Sequence, residues 1–309
     1  MTLSLQTDLK IGVALGSGSA RGWAHIGVLR ALESIGIKPD VISGCSIGAL
    51  VGGAYASGHF NNLEHWVNHL SWKDIVGFLD MSVVGGGVIR GEKLIGFARE
   101  HMQEQHIQDL SLPFAAVATD LESGREVWLK EGSLLEAVRA SISLPGLFTP
   151  VLHQGRWLVD GGLVDPVPVS LCRALGADVV IAVNLNTDLL VKRDKSVSQG
   201  ASSDTSNSLW SRVPESWKKH LSTRKNNLLQ QLLGENMGAP SMFEVMYGSL
   251  NIMQDRITRS RLAGDPADII LEPHLGHIGL MEYDKAEDAI AEGRMSVRRV
   301  QAQILDLML

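Results

Sequence analysis

Five residues, Gly44-Cys45-Ser46-Ile47-Gly48, constrain this chain more than any other segment. They match G-x-S-x-G. They stand between a short apolar run, Val41-Ile42-Ser43, and a stretch of helical spacing, Ile47 to Ser57, rich in small residues. A serine in that setting sits on a sharp strand-to-helix turn, because small residues at both ends let strand and helix approach. Its hydroxyl then projects beside a helix N-terminus, where free N–H groups and the macrodipole favour developing negative charge. A chain that builds this turn is an α/β chain. The plainer reading is a glycine-rich turn with a helix-capping serine.

The surrounding pattern agrees with α/β. Lys10 to Leu15, Phe114 to Thr119, Val127 to Leu129, Trp157 to Val159, Asp178 to Asn184 and Asp268 to Leu271 read as further strands. Helical spacing runs through Trp23 to Ile35, Leu134 to Ser141, Val169 to Leu175 and Met281 to Leu307. Strands and helices interleaved at this pitch predict a mostly parallel sheet covered on both faces. After Asn186 the texture changes. Residues 187–208 are serine-rich and read as a flexible linker, and residues 209–264 as a helical insertion in one domain spanning 9–309.

Composition excludes several classes. A net charge of −6 and a pI near 5.9 argue against a nucleic-acid partner. Two cysteines, Cys45 and Cys172, are too few for a disulfide framework or a structural zinc site. The N-terminus has no basic and apolar leader pattern, so a cytoplasmic location is expected. Val41 to Gly58 carries no charge, but its glycines and serines suit a buried strand–turn–helix better than a membrane span.

Two more segments carry chemistry. Gly16-Ser17-Gly18-Ser19-Ala20-Arg21-Gly22 follows the first strand. Such a turn exposes consecutive backbone N–H groups and makes an anion site. It could serve as an oxyanion hole or as a pyrophosphate cradle. The spacing is G-x-G-x-x-x-G, and no acidic residue follows the second strand, so a dinucleotide cofactor is disfavoured. Asp160-Gly161-Gly162 follows the apolar Trp157-Leu158-Val159 and precedes Asp165-Pro166-Val167-Pro168. A carboxylate held there could take the serine proton.

In this order the three segments resemble the patatin-like phospholipases, especially small bacterial members. The resemblance extends through Arg21 to Leu29 and Ala140 to Gly146, and covers most of residues 9–186. It implies a three-layer α/β/α fold, no cofactor or metal, and hydrolysis of carboxylic ester bonds in lipids. It further implies that Ser46 is the nucleophile and Asp160 the base. Gly44, Gly48, Gly161 and Gly162 shape their turns. The implied oxyanion hole comprises Gly16, Ser17, Gly18 and Ser19, with Arg21 at the family's arginine position. Ser17 departs from the glycine many members carry, and still offers its backbone N–H.

Rival readings remain open at this stage. Ser46, Asp160 and His274 or His277 follow the chain order of an α/β-hydrolase triad, and His25 or His153 could act as base. Cys45 is a less suitable nucleophile beside the elbow serine. A non-catalytic relative could use the same pocket for binding or regulation. Residues 209–233 are expected to touch a membrane surface peripherally. There Trp210, Val213, Trp217 and Leu221 form an apolar stripe among Arg212, Lys218, Lys219, Arg224 and Lys225. The alternative is a helix packed on its own domain or on a partner subunit.

Overall fold

A computed structural model describes residues 9–70, 87–89, 96, 104–187 and 242–307. The chain divides into two compact units, Met1–Asp188 with Gln254–Leu309, and Leu189–Met253. In the second unit the described residues are 242–253, the first part of a helix.

The first unit is built on an eight-stranded sheet. Its strands are β1 (Ile11–Leu15), β2 (Val41–Cys45), β4 (Phe114–Asp120), β5 (Glu126–Leu129), β7 (Val151–His153), β8 (Arg156–Asp160), β9 (Val179–Val183) and β10 (Ile269–Leu271). A separate parallel pair joins β3 (Gly87–Ile89) to β6 (Gly146–Phe148). In the main sheet β10, β9, β1, β2 and β4 run parallel in that order. The pairings of β4 with β5, β4 with β8 and β8 with β7 are antiparallel. Every residue of β1, β2, β4 and β9 is buried, which their nearly continuous apolar runs require in a sheet covered on both faces.

The helices in chain order are α1 (Ala24–Ser34), α2 (Ile47–Ala56), α3 (Phe60–Asn68), α4 (Leu134–Ser141), α5 (Val169–Ala174), α6 (Met242–Gly264), α7 (Ala286–Arg299) and α8 (Gln301–Leu307). Ile26, Leu50, Leu134 and Ile290 from α1, α2, α4 and α7 join Val13, Ile42 and Ala116 in the larger core. On the opposite face Val169 and Cys172 of α5 pack with Ala14, Val41 and Ala182. The result is a three-layer α/β/α arrangement. Helices α1 and α7 cross with backbones almost touching. A Cβ on Gly27 would lie 1.9 Å from Ile290 O, and one on Gly293 2.0 Å from Ala24 O.

Some elements differ from the sequence reading. The helix expected from Met281 begins at Ala286 and breaks at Val300 into α7 and α8. Residues 280–283 are not helical because their carbonyls serve other partners. Leu280 O accepts from Ser19 Oγ and Ala20 N–H, and Tyr283 O accepts from Trp23 Nε1. The first helix is likewise preceded by a 3-10 turn, Ser19–Trp23. Strands β3, β6 and β7 and helix α3 were not anticipated. Beyond Thr187 the expected linker 187–208, and the basic apolar stripe in 209–233, lie outside the described residues. No helix among the described residues is long and apolar enough to cross a membrane.

Candidate active site

The turn at the end of β2 is sharp. Ser46 has φ 56° and ψ −122°, a conformation that L side chains rarely adopt and that here precedes α2 directly. Its flanking glycines make the turn possible. A Cβ on Gly44 would meet Gly48 O and Ala49 Cα at 2.6 Å, and one on Gly48 would meet Leu15 O at 2.1 Å. No side chain fits at either place. The Ser46 N–H donates to Ser141 Oγ at 2.8 Å, and that hydroxyl donates to Val117 O at 2.6 Å.

Sheet register brings Asp160 to the same point. Strand β5 occupies one edge of β4 along residues 116–119, so β2 and β8 must share the other edge. There Cys45 pairs with Val117, and Asp160 pairs with Ala118, the next residue. Strand β2 therefore ends where β8, running the opposite way, also ends. The Ser46 hydroxyl donates to Asp160 Oδ2 at 2.6 Å.

Asp160 is 1% exposed. Burial pushes its carboxyl up to about 6, against the downward pull of the hydrogen bonds from Ser46 and from the Gly162 N–H, which reaches Oδ1 at 2.7 Å. Its backbone is fixed as well. Thr119 Oγ1 donates to Asp160 O at 2.8 Å, and Asp160 N–H donates to Ser143 O at 3.0 Å. Arg139 in turn donates to Ser143 Oγ at 2.7 Å and to Thr149 O at 3.0 Å. A Cβ on Gly161 would lie 2.3 Å from Val117 O, so the turn after Asp160 also has no room for a side chain.

The glycine loop after β1 is held by its own hydrogen bonds. Gly16 N–H donates to Val183 O at 3.1 Å and Ser17 N–H to Pro166 O at 2.8 Å. Both are thereby engaged, which leaves the N–H groups of Gly18 and Ser19 without a protein acceptor among the described residues. Buried Arg21 donates from Nε to Gly18 O at 3.1 Å. In a planar trans peptide this turns the Ser19 N–H the opposite way. Ser19, at φ 51°, is tied by its hydroxyl to Leu280 O and Tyr283 Oη.

None of the four histidines hydrogen-bonds Ser46 or Asp160 among the described residues. His25 is fully buried and donates from Nε2 to Gly16 O at 2.8 Å, so it supports the loop from behind. Burial pushes its pKa down to about 4, against the upward effect of that hydrogen bond, and the ring is neutral. His153 lies on the outer strand β7, and exposed His274 and His277 lie between β10 and α7. Cys45 is buried in β2, and burial raises its thiol pKa well above the usual value. No group of three or more His, Cys, Asp or Glu side chains among the described residues is placed to hold a metal ion.

A second buried carboxylate stands five residues beyond Asp160. Asp165 is 0% exposed and neither oxygen has a hydrogen-bond partner. Arg261 NH1 is 3.8 Å from its Oδ2, while Arg261 NH2 pairs with Glu126 at 2.5 Å. Burial, reinforced by the Glu126 charge, pushes Asp165 up to about 8. In the sequence Asp165 stands out only as the residue that opens Asp165-Pro166-Val167-Pro168.

A strained strand-to-helix serine is thus hydrogen-bonded to a buried aspartate beside a glycine loop, an arrangement with the parts that nucleophilic acyl chemistry needs. The model of the patatin-like phospholipases matches residues 13–173, a span holding both side chains. The chain belongs to that family. It is 34% identical to an uncharacterized NTE family protein of Mycobacterium tuberculosis, covering 92% of this chain and 89% of that one. It is also 34% identical to Lysophospholipase NTE1 of Mycosarcoma maydis over 58% of this chain and 10% of that protein. Patatin-like phospholipase domain-containing protein 6 of Mus musculus is 33% identical over 59% of this chain and 14% of its own length. Among solved structures, VipD from Legionella pneumophila aligns with a TM-score of 0.46 at 13% identity, covering 95% of this chain and 67% of that one.

Proposed function

We propose that this protein is a lipid acyl hydrolase that cleaves carboxylic esters through Ser46 and Asp160. The observation that carries this reading is the 2.6 Å hydrogen bond from Ser46 Oγ to Asp160 Oδ2 at a strained turn. Family membership, and relatives named lysophospholipases, support a lipid ester as substrate.

Ser46 Oγ attacks the acyl carbonyl while its proton passes to Asp160 Oδ2. The carbonyl oxygen gains negative charge, and the Gly18 and Ser19 N–H groups are the donors available to it. Collapse breaks the ester bond, and the leaving alcohol takes the proton from Asp160. The acyl group is now on Ser46. Water attacks next, gives its proton to Asp160, and the serine recovers its own as the carboxylic acid departs. Asp160 Oδ1, held by Gly162, keeps the carboxylate aimed at the serine throughout.

Labelling with a fluorophosphonate, followed by esters ranging from short nitrophenyl esters to phospholipids, tests the reading. A single label on Ser46 is expected, and Ser46→Ala should lose both label and turnover, the latter by several orders of magnitude. Full activity in Ser46→Ala, with labelling elsewhere, would sink the assignment.

A further inference from the structure

One buried amide touches the loops that follow β1, β8 and β9. Gln254, in α6, is 7% exposed. Its Oε1 accepts from Ser17 Oγ at 3.3 Å and from Asn186 Nδ2 at 3.4 Å. Its Nε2 fills the space beside Gly162, where a Cβ would lie 2.3 Å away. Gly162 is the residue whose N–H holds Asp160 Oδ1. Ser17 is the residue before the two N–H groups that remain available in the glycine loop.

We propose that Gln254 is a positioning residue that locks the glycine loop to the Asp160 loop, keeping the donors at Gly18 and Ser19 in register with the dyad. The proposal rests on the dyad reading above. The physical argument is one of alignment. Acyl transfer needs the oxyanion donors and the nucleophile–base pair fixed relative to each other, and these sit on separate loops joined to different strands. Gly16 is anchored to Val183 and Asp160 to Ser143, while the Ser17 N–H ties the glycine loop to Pro166, further along the chain from the Asp160 turn. The Gln254 side chain adds a tie at the Asp160 turn itself, reaching from Ser17 to Gly162. A Cβ at position 162 would also lie 2.9 Å from Asp160 Oδ1, so a side chain there would disturb the amide and the carboxylate together. Gln254 touches no reacting atom, so its effect should fall on turnover.

Gln254→Met keeps the length of the side chain and removes its polar atoms. With a short nitrophenyl ester, kcat should fall roughly five- to tenfold, the scale of a lost hydrogen bond, with KM within about twofold of wild type. Fluorophosphonate labelling of Ser46 should slow by a similar factor. Ser17→Ala should produce the same fall, and the double variant should be no slower than the slower single one, because both cut one connection. A packing role alone would lower thermal stability without this split between kcat and KM, or this coupling.

Wild-type kcat in Gln254→Met, or losses that multiply in the double variant, would overturn the proposal. If Gln254→Met does not fold, Ser17→Ala carries the test, since it removes only a hydroxyl; wild-type kcat there overturns it equally. A wild-type protein left unlabelled at Ser46 removes the dyad reading itself. Equal labelling of wild type and Gln254→Met removes only the role of Gln254.

Discussion

Ser46 donates two hydrogen bonds, from its side chain to Asp160 and from its backbone N–H to Ser141. The Ser141 hydroxyl accepts a hydrogen bond from the Ser46 N–H and donates one to Val117 O, so one buried group braces the elbow against β4. Ser141→Ala leaves two buried polar groups unsatisfied. It should cost about 1–3 kcal/mol in urea unfolding and lower esterase kcat with it. Unchanged stability would show that the elbow stands without this brace.

In the proposed mechanism the buried Asp160 carboxyl sets a pH limit. It can accept the Ser46 proton only when ionised, and its pKa is pushed up to about 6 by burial. The kcat/KM for a short ester should therefore rise through about pH 6 and level above it. Asp160→Asn should lose nearly all activity. The limb should persist when His25, His153, His274 and His277 are each replaced by alanine. Disappearance of the limb in a folded histidine variant would transfer the base role to that histidine.

Asp165 should make stability fall with rising pH. Its pKa rises from 3.8 to about 8 on folding, so the folded state holds a proton that the unfolded state has released. Stability is then fullest below about pH 4 and declines as the pH approaches 8. Asp165→Asn removes the charge that would otherwise be buried without a hydrogen-bond partner. The drop in thermal midpoint between pH 5.5 and 8.5 should be smaller in that variant than in wild type. An equal drop in both proteins would assign the pH dependence to other groups.

Gly18 is crowded on one side. A Cβ there would lie 2.7 Å from Leu185 Cδ1 and 2.9 Å from its Cβ. Gly18→Ala should therefore shift the loop and reduce kcat, up to the 100-fold or so lost with an oxyanion donor. Adding Leu185→Ala should return part of that loss by making room. No recovery in the double variant would mean that the glycine serves backbone freedom rather than space.

The sequence carried the local half of this architecture. Strands β1, β2, β4 and β9 are apolar along their length, and the sharp turn at Ser46 needs only its neighbours Gly44 and Gly48 to be recognised. What depends on register was less legible. The sharing of one β4 edge by β2 and β8 rests on pairings between segments far apart in the chain. So do the parts played by Ser141 and Gln254. Ser141 was visible only as part of a motif without a role, and Gln254 carried no signal. The loop donors show the same limit. Gly16 and Ser17 looked equivalent to Gly18 and Ser19 until Val183 O and Pro166 O were seen to occupy their N–H groups. Helix α3 did have a readable signal, its buried Phe60, Leu63 and Val67 at helical spacing.

The near-contact of α1 and α7 has a consequence for biosynthesis. Helix α1 follows the glycine loop and is synthesised long before the residues that cover it, Ile290 and Gly293 among them. Until they arrive, the Gly27 side of α1 has no cover, and pairing across such sequence distance is slow to close. A nascent chain would thus carry both Ser46 and Asp160 before the layer behind them is complete. Translation of α7 supplies the wall over this side of α1, and a message cut short before that helix would leave a chain exposing the surface it was meant to cover.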